Sequence, residues 1–470
     1  MTYLTSSEIK AHYDAQVAHK LDVKNSSITT RINWLKNLRA TIIEHEHDIK
    51  EALYTDFRKN PIETDTTEIF ATLLEIKAFI KNLNKWAKPQ HVHSPLLFKT
   101  IAAKLIYEPK GNTLIITPWN YPFQLPMVHL VASVAAGNTV LLKLSEFSPN
   151  INAVIKKIIS KTFEEKHVAI IVGEIAETTQ LLGLKFDHIH FTGSPAVGKI
   201  VMSAAAEHLT DITLELGGKS PTFIDHNVNI REVVKNLIWA KFVNMGQTCI
   251  APDYLLVDKK LEQTIEQVFK QELSIAFGCN IIDSPDLARI INKKQYDRLF
   301  SALDELKNTS TEWIVQGEHN ERDLFIHPTL VKNMPMHSTI MQDEIFGPIF
   351  PIIYYNDVQE ALDIVAVREK PLALYIFSEN KEYTKHILAN TSAGGTTIND
   401  AMVHILHPNL PFGGVNNSGI GQSLGVYGFK DFSHERAVAK VNIFPMTKLF
   451  WYPYTDRTRK LVDLMKKIFT

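Results

Sequence analysis

Over roughly the first ninety positions apolar residues recur at helical spacing, as in Ile32-Asn-Trp-Leu-Lys-Asn-Leu-Arg39 and Phe70-Ala-Thr-Leu-Leu-Glu-Ile-Lys-Ala-Phe79. Ala102–Tyr107 then reads as a strand. From Thr113 the pattern changes. Apolar runs at Thr113–Ile116, Thr139–Lys143, Val168–Val172, His188–Phe191 and Ile212–Leu216 alternate with helical segments. The first of these ends before Gly137-Asn138, and the others span 151–163, 174–182 and 197–208. Continuous apolar strands between amphipathic helices predict a parallel sheet covered on both faces. Such sheets bind ligands at the carboxyl ends of their strands. A second alternating set runs from about Pro221 to Thr397, with a helix at Arg231–Phe242, a strand at Tyr254–Val257, a helix at Leu261–Leu273 and strands near Ile349 and Leu374. The fold class is therefore α/β, with two sheets joined through the short Gly217-Gly218 link.

The tail departs from this pattern. Leu461, Val462, Leu464, Met465, Ile468 and Phe469 fall on one helical face, opposite Arg459, Lys460, Lys466 and Lys467. The aromatic run Phe450-Trp-Tyr-Pro-Tyr454 precedes it. Such a helix is too short and charged to span a bilayer. Its apolar face is expected to pack on a partner subunit or a domain edge. A sharper reading puts it, with Trp451, at a ligand entrance, with peripheral membrane contact through its basic side.

Composition narrows the classes. A chain of 470 residues exceeds one ordinary core, and 45% hydrophobic with 21% charged residues marks a globular protein. The net charge of -1 leaves no broad positive field, so no nucleic-acid partner is expected. Only Cys249 and Cys279 occur, which suits a reducing cytoplasmic setting rather than a disulfide scaffold. The opening residues carry an early acid and no apolar core segment, so no secretory signal is expected. The longest stretch without acid, Lys or Arg, Gly111–Leu142, contains three prolines (Pro118, Pro122 and Pro126) together with His129 and asparagines, and is expected to be buried rather than to cross a membrane.

Several residues invite chemistry. Cys249 follows a helix within Asn244-Met-Gly-Gln-Thr-Cys-Ile-Ala-Pro252, where Gly246 permits a sharp turn. A lone cysteine is usually a small buried hydrophobe. Its loop setting argues otherwise here, whereas Cys279 has no such company. Glu215, between two leucines on an apolar strand, is costly unless paired or used. Desolvation would raise its pKa towards neutrality, as suits a general base, or Lys219 could pair with it. Asn120, in Pro118-Trp-Asn-Tyr-Pro122, can donate to an oxyanion or merely hold a turn. The segment Gly193-Ser-Pro-Ala-Val-Gly198 starts a helix, where backbone amides attract phosphate. It has two glycines rather than the three of the dinucleotide fingerprint, so a tight turn is the plainer alternative. Lys143 and Glu146 could hold ribose hydroxyls or pair with each other. Glu344-Ile-Phe-Gly-Pro348 and Leu410-Pro-Phe-Gly-Gly414 are loops with a packed Phe. No metal site is expected.

Together, from about Arg31 to Phe432, these segments resemble the aldehyde dehydrogenase superfamily: Pro118-Trp-Asn120, Lys143 with Glu146, Phe191-Thr-Gly-Ser194, Glu215-Leu-Gly-Gly218, Gly246-Gln-Thr-Cys249, Glu344-Ile-Phe-Gly-Pro348 and Pro411-Phe-Gly-Gly414. Asn399-Asp400, Asn417-Ser-Gly-Ile-Gly421, Phe432-Ser-His434 and Tyr452-Pro-Tyr-Thr-Asp456 look like its class-three branch, which includes fatty aldehyde dehydrogenases. The resemblance implies a Rossmann-type cofactor domain over 1–85 and 105–216, and a catalytic domain over 217–395. It also implies oligomerisation or bridging segments at 86–104 and 396–440, a tail at 441–470, and a homodimer.

The implied reaction oxidises an aldehyde, medium or long aliphatic or aromatic, to its acid. Cys249, as thiolate, attacks the aldehyde; Asn120 and the Cys249 N–H hold the oxyanion; Glu215 activates water against the thioester. Glu344 and Phe346 would face the nicotinamide ribose and ring, Lys143 and Glu146 the adenosine ribose, and Ser194 the phosphates. Trp119, Thr192, Gly193, Gly198 and Leu216 complete the cofactor cleft. Lys-Leu-Ser stands before Glu146 where relatives commonly have Lys-Pro-Ser, and is expected to leave that loop less restrained. Glu146 favours a free 2′-hydroxyl, hence NAD, with NADP also admitted. The rivals are a CoA-acylating dehydrogenase, which can dispense with the Glu215 base, and a catalytically idle binding protein.

Overall fold

A computed structural model describes residues 3–95, 98–442 and 444–469, without the side chains of Ile468 and Phe469. The chain groups into two compact units, 1–86 with 109–433 and 87–108 with 434–470. The larger unit carries both sheets read from the sequence.

Its first sheet contains β3 (Asn112–Ile116), β4 (Thr139–Ser145), β5 (Val168–Gly173), β6 (His188–Gly193) and β7 (Asp211–Leu216), edged by β15 (Gly419–Ile420). The order is β15-β7-β6-β3-β4-β5, with β3 to β7 all parallel and β15 antiparallel to β7. The chain builds outward from β3 to β5, then returns to the other side of β3 with β6. The carboxyl ends of β3 and β6 therefore diverge, opening a crevice at the switch point. The second sheet joins β8 (Pro221–Ile224), β9 (Tyr254–Asp258), β10 (Glu312–Val315), β11 (Thr329–Lys332), β12 (Ile349–Tyr355), β13 (Ala373–Phe377) and β14 (Gly395–Ile398), in the order β10-β11-β12-β9-β8-β13-β14. Its strands are nearly continuous apolar runs because both faces are covered. Strand β14 carries this sheet past the boundary expected at 395.

The acid-free stretch becomes the helix Gln124–Ala136, in which every residue is buried. Its apolar circumference explains this, and Arg31 donates to the carbonyls of Ala135 and Ala136 at its closing turn. At the other end, Glu68 accepts from the N–H groups of Phe123 and Gln124 at 3.1 and 2.8 Å. The same carboxylate binds Lys59 at 2.7 Å, both side chains wholly buried.

The smaller unit is a three-stranded sheet, order β1-β2-β16, from β1 (Gln90–Val92), β2 (Ile101–Pro109) and β16 (Ser433–Val441), followed by the helix Asp456–Phe469. The tail helix thus forms as expected, although Ile468 and Phe469 of its apolar stripe lie outside the described side chains. Among the described residues no helix is long and apolar enough to cross a membrane.

Glu68→Gln strands the buried Lys59 charge and weakens the cap. It is expected to cost about 3–5 kcal/mol in urea unfolding, while a loss under about 1 kcal/mol would show that the pair is dispensable.

Candidate active site

The position of Cys249 is fixed by an unusual backbone. After the helix Ile230–Phe242, Asn244 and Met245 both take φ 53° and Gly246 φ 74°. Left-handed side-chain-bearing residues cost roughly 1–2 kcal/mol each, so neighbours must hold them. Asn244 donates from its amide to the Asn120 carbonyl at 2.7 Å and to the Gln247 carbonyl at 3.2 Å, and its N–H reaches Glu63 at 2.9 Å. Gln247 donates to the carbonyls of Asn244 and Arg289 and accepts from Ile291 N–H, each at 3.0 Å. Gly246 has no room for a side chain: a Cβ would lie 2.4 Å from the Gly347 carbonyl oxygen. Cys249 follows, half-buried, in a cleft of about 1310 Å³.

Asn120 extends from the end of β3 into the same cleft. Its amide donates to the Gln247 carbonyl at 3.0 Å, which leaves its second N–H for a ligand. Glu215, on β7, also lines the cleft. It is not paired with Lys219 as its sequence neighbourhood suggested. Lys219 binds Asp253 and the carbonyls of Ile340 and Asp343, bracing the segment before Glu344. Glu215 instead accepts from Ser423 and from Thr192 at 3.1 Å, with His129 Nε2 at 3.3 Å and His190 Nε2 at 3.8 Å. Burial raises its pKa as expected, but His129 and His190 outweigh that and hold the carboxyl below its ordinary range. It rests ionised.

The thiol departs from expectation in the other direction. Burial, then the charges of Glu344 and Glu215, push Cys249 well above an ordinary cysteine. The protein alone thus keeps a neutral thiol, not the expected thiolate.

The remaining candidates fall along the cleft. Trp119, Lys143, Glu146, Thr192, Gly193, Ser194, Leu216, Glu344 and Phe346 all line it; Gly198 lies beneath, where a Cβ would meet Leu216 at 2.8 Å. Ser194 caps the helix Pro195–Ala206. Lys143 and Glu146 approach to 3.6 Å. Phe346, at φ 49°, sets its ring edge-on to Trp119 with centroids 5.5 Å apart. Its loop is pinned by Asp253 accepting from Ile345 N–H at 2.9 Å and by Arg298 donating to the Ile345 carbonyl at 2.8 Å. The loop around Glu146 is not loosened: Leu144 is buried and continues β4 opposite Val172. Sequence reasoning missed Arg298, His129, His190 and Ser423. Arg298 gave no signal, whereas the alternation of His188 and His190 placed both on one strand face beside Glu215.

A thiol, an amide donor and a carboxylate around one switch-point cleft define a site for nucleophilic chemistry at a carbonyl carbon. The sequence model of the aldehyde dehydrogenase family matches residues 1–438. A 4,4'-diaponeurosporen-aldehyde dehydrogenase of Staphylococcus aureus is 44% identical over 427 residues, 91% of each chain. Aldehyde dehydrogenase family 3 member A2 of Macaca fascicularis is 40% identical over 416 residues, covering 88% of this chain and 85% of its own. A solved structure described as the substrate bound state of Staphylococcus aureus AldH superposes with TM-score 0.93 at 40% identity, over 97% of this chain and 99% of that one. The chain belongs to the aldehyde dehydrogenase family and is an enzyme that oxidises aldehydes to acids.

Because burial and two carboxylates disfavour the thiolate, iodoacetamide labelling of Cys249 in the cofactor-free protein is expected to climb with pH without levelling below about pH 9. Peptide mass spectrometry separates it from exposed Cys279; a plateau near neutrality would show a preformed thiolate.

Proposed function

We propose that the chain uses NAD, with NADP also admitted, to oxidise medium or long aliphatic and aromatic aldehydes through an acyl group on Cys249. The observation that carries this reading is the convergence of Cys249, Asn120 and Glu215 on one cleft. The residues along it suit a dinucleotide. The capped start of the Pro195–Ala206 helix offers backbone amides to phosphates, Lys143 and Glu146 reach for ribose hydroxyls, and Glu344 with Phe346 borders the inner end. Bound there, NAD would supply the hydride acceptor and a positive charge.

The chain's own residues do the rest. Cys249 gives up its thiol proton to water in the cleft, and Sγ forms the bond to the aldehyde carbon as the C=O π pair moves onto oxygen. The second Asn120 N–H and the Cys249 N–H stabilise the oxygen as it gains charge. Once that carbon is oxidised, Glu215 draws a proton from water, which attacks the thioester and frees the sulfur. An ionised Glu215 supports hydrolysis over transfer to CoA. Retention of all three side chains supports an active enzyme over an idle binding protein.

The smaller unit supports a homodimer: Val92, Phe98, Val441 and Trp451 are exposed on it, an apolar display that a second copy would cover. Two free thiols suit a cytoplasmic setting. The cofactor role falls to the first sheet and the nucleophile to the second.

Rapid mixing with aldehyde and NAD tests the assignment. Cys249→Ala is expected to fold yet give no NADH, Glu215→Gln to give one burst without turnover, and Asn120→Ala to lose about 10²–10³ in kcat. An active, folded Cys249→Ala would overturn it. Adding CoA should leave the product a free acid. Glu146 should also favour NAD over NADP by at least about tenfold in kcat/KM, since a 2′-phosphate would meet its charge; a reversed preference would remove Glu146 from the ribose site.

A further inference from the structure

Behind Glu215, away from Cys249, a buried row of ionisable side chains follows the strands towards solvent. His129, from the helix Gln124–Ala136, and His190, from β6, face each other with ring centroids 3.7 Å apart. Their Nε2 atoms lie 3.3 and 3.8 Å from Glu215 Oε2. His190 Nδ1 is 3.7 Å from Asp431 Oδ2, and His188 Nε2 is 3.5 Å from that same oxygen. His188 Nδ1 meets Asp211 at 2.8 Å and Lys110 Nζ at 3.2 Å. His188 and His190 are wholly buried, whereas the Asp211 side chain is 57% exposed. The other polar groups on the row are Thr192 and Ser423 at Glu215 and Thr213, which donates to Asp431.

This row is poorly explained as a stabilising network. His129 Nε2, both nitrogens of His190, His188 Nε2 and Asp431 Oδ2 are buried without a well-formed hydrogen bond. Leaving such atoms buried and unpaired is costly, so a purely structural device would satisfy them or replace them with apolar groups. The gaps are a few tenths of an ångström too long, within reach of a small ring rotation. Burial disfavours charge on both rings, and it leaves His129 lowered. At His190 the carboxylates of Asp431 and Glu215 outweigh burial and raise the pKa to about 9. His190 is therefore the stronger base of the two rings, the one better able to take a proton from the carboxylate beside it.

We propose that Glu215, His190, Asp431, His188 and Asp211 form the path by which the proton removed from the hydrolytic water leaves the site. The step rests on the hydrolytic role proposed for Glu215. One O–H bond of water breaks, its proton goes to Glu215, and the hydroxide forms a C–O bond at the thioester carbon. Collapse breaks the C–S bond, the electron pair leaving on sulfur. Glu215 then passes its proton to Nε2 of a neutral His190 whose own hydrogen sits on Nδ1, and the imidazolium so formed releases that Nδ1 proton to Asp431. His188 repeats the exchange from Nε2 to Nδ1, and Asp211 delivers a proton to solvent. Glu215 is again ionised. His190, Asp431, His188 and Asp211 are positioning and relay residues, none of which touches the aldehyde.

The test separates acylation from deacylation in the full-length enzyme with NAD and an aliphatic aldehyde. Asp431→Asn and His190→Gln are expected to keep the NADH burst but to slow thioester hydrolysis at least about tenfold, with an altered pH profile. Transfer of the acyl group to an added thiolate brings no proton to remove, so it should keep its wild-type rate. Where either buried variant fails to fold, Asp211→Asn at the exposed end carries the test, with hydrolysis slowed about threefold or more. Wild-type hydrolysis in the folded variants overturns the path, and so does equal slowing of thiolate transfer, which would mark a packing defect. A wild-type acyl-enzyme that turns over only when a thiol or CoA is added would instead defeat the hydrolytic reading itself.

Discussion

The site depends on a pair of amide contacts that tie two loops from different sheets. Asn244 donates to the Asn120 backbone carbonyl, and the Asn120 side chain donates to the Gln247 carbonyl. Asn120 follows β3 of the first sheet, while the loop from Asn244 to Cys249 lies between β8 and β9 of the second. Without this exchange Asn120 and Cys249 would be positioned independently. Left-handed residues at 244–246 turn the chain sharply enough to make the contact. Their strain is offset by the hydrogen bonds of Gln247 and by Glu63, which accepts from Asn244 N–H. An error of about 1 Å in such a geometry can cost a hundredfold in rate, which is why so many bonds converge on one short loop.

Buried charge is the second constraint, and it is distributed so that each ion has a task. Lys59 and Glu68 anchor the loop around Tyr121 and the start of the buried helix. Lys219 and Asp253 brace opposite sides of the segment leading to Phe346. Glu215 is the exception, since its partners are histidines that can themselves gain or lose a proton. A lysine there would hold the carboxylate ionised but would give it nowhere to send a proton at neutral pH.

Much of this was legible in the residue pattern. Apolar runs separated by amphipathic helices mark both parallel sheets, because a strand covered on two faces has no polar side to display. Trp119, Asn120, Lys143, Glu146, Thr192, Ser194, Glu215, Leu216, Cys249, Glu344 and Phe346 all line the cleft, whereas the Pro411-Phe-Gly-Gly414 loop does not. What was hidden depends on distance in space. The φ of Met245 leaves no trace in a side chain that normally avoids that region. The partner of Lys219 is Asp253 rather than the nearer Glu215, because β7 turns its carboxylate towards β6 and the buried helix. Strands β1 and β16 are mostly exposed, so their sequences lack the apolar run that betrays a core strand.

The Lys143-Leu-Ser-Glu146 segment shows how a local rule is reversed by its neighbours. Leu144 lacks the fixed φ of a proline, which suggested a looser ribose loop. Leu144 instead lies within β4, and the ladder to β5 continues through Leu144 opposite Val172 and Ser145 opposite Gly173. A proline has no N–H to give to a ladder, so its absence lets the strand run on to Ser145 before the chain turns. Lys143 and Glu146 are therefore presented from the end of a paired strand, 3.6 Å apart, rather than from a free loop. Desolvation lowers the Lys143 pKa, with Glu146 opposing, so the cation's pull on an added phosphate is tempered while Glu146 keeps its capacity to accept from a hydroxyl. Restraint at this corner thus comes from strand pairing, and under the proposed function it would favour a ribose bearing hydroxyls over one bearing a second charge.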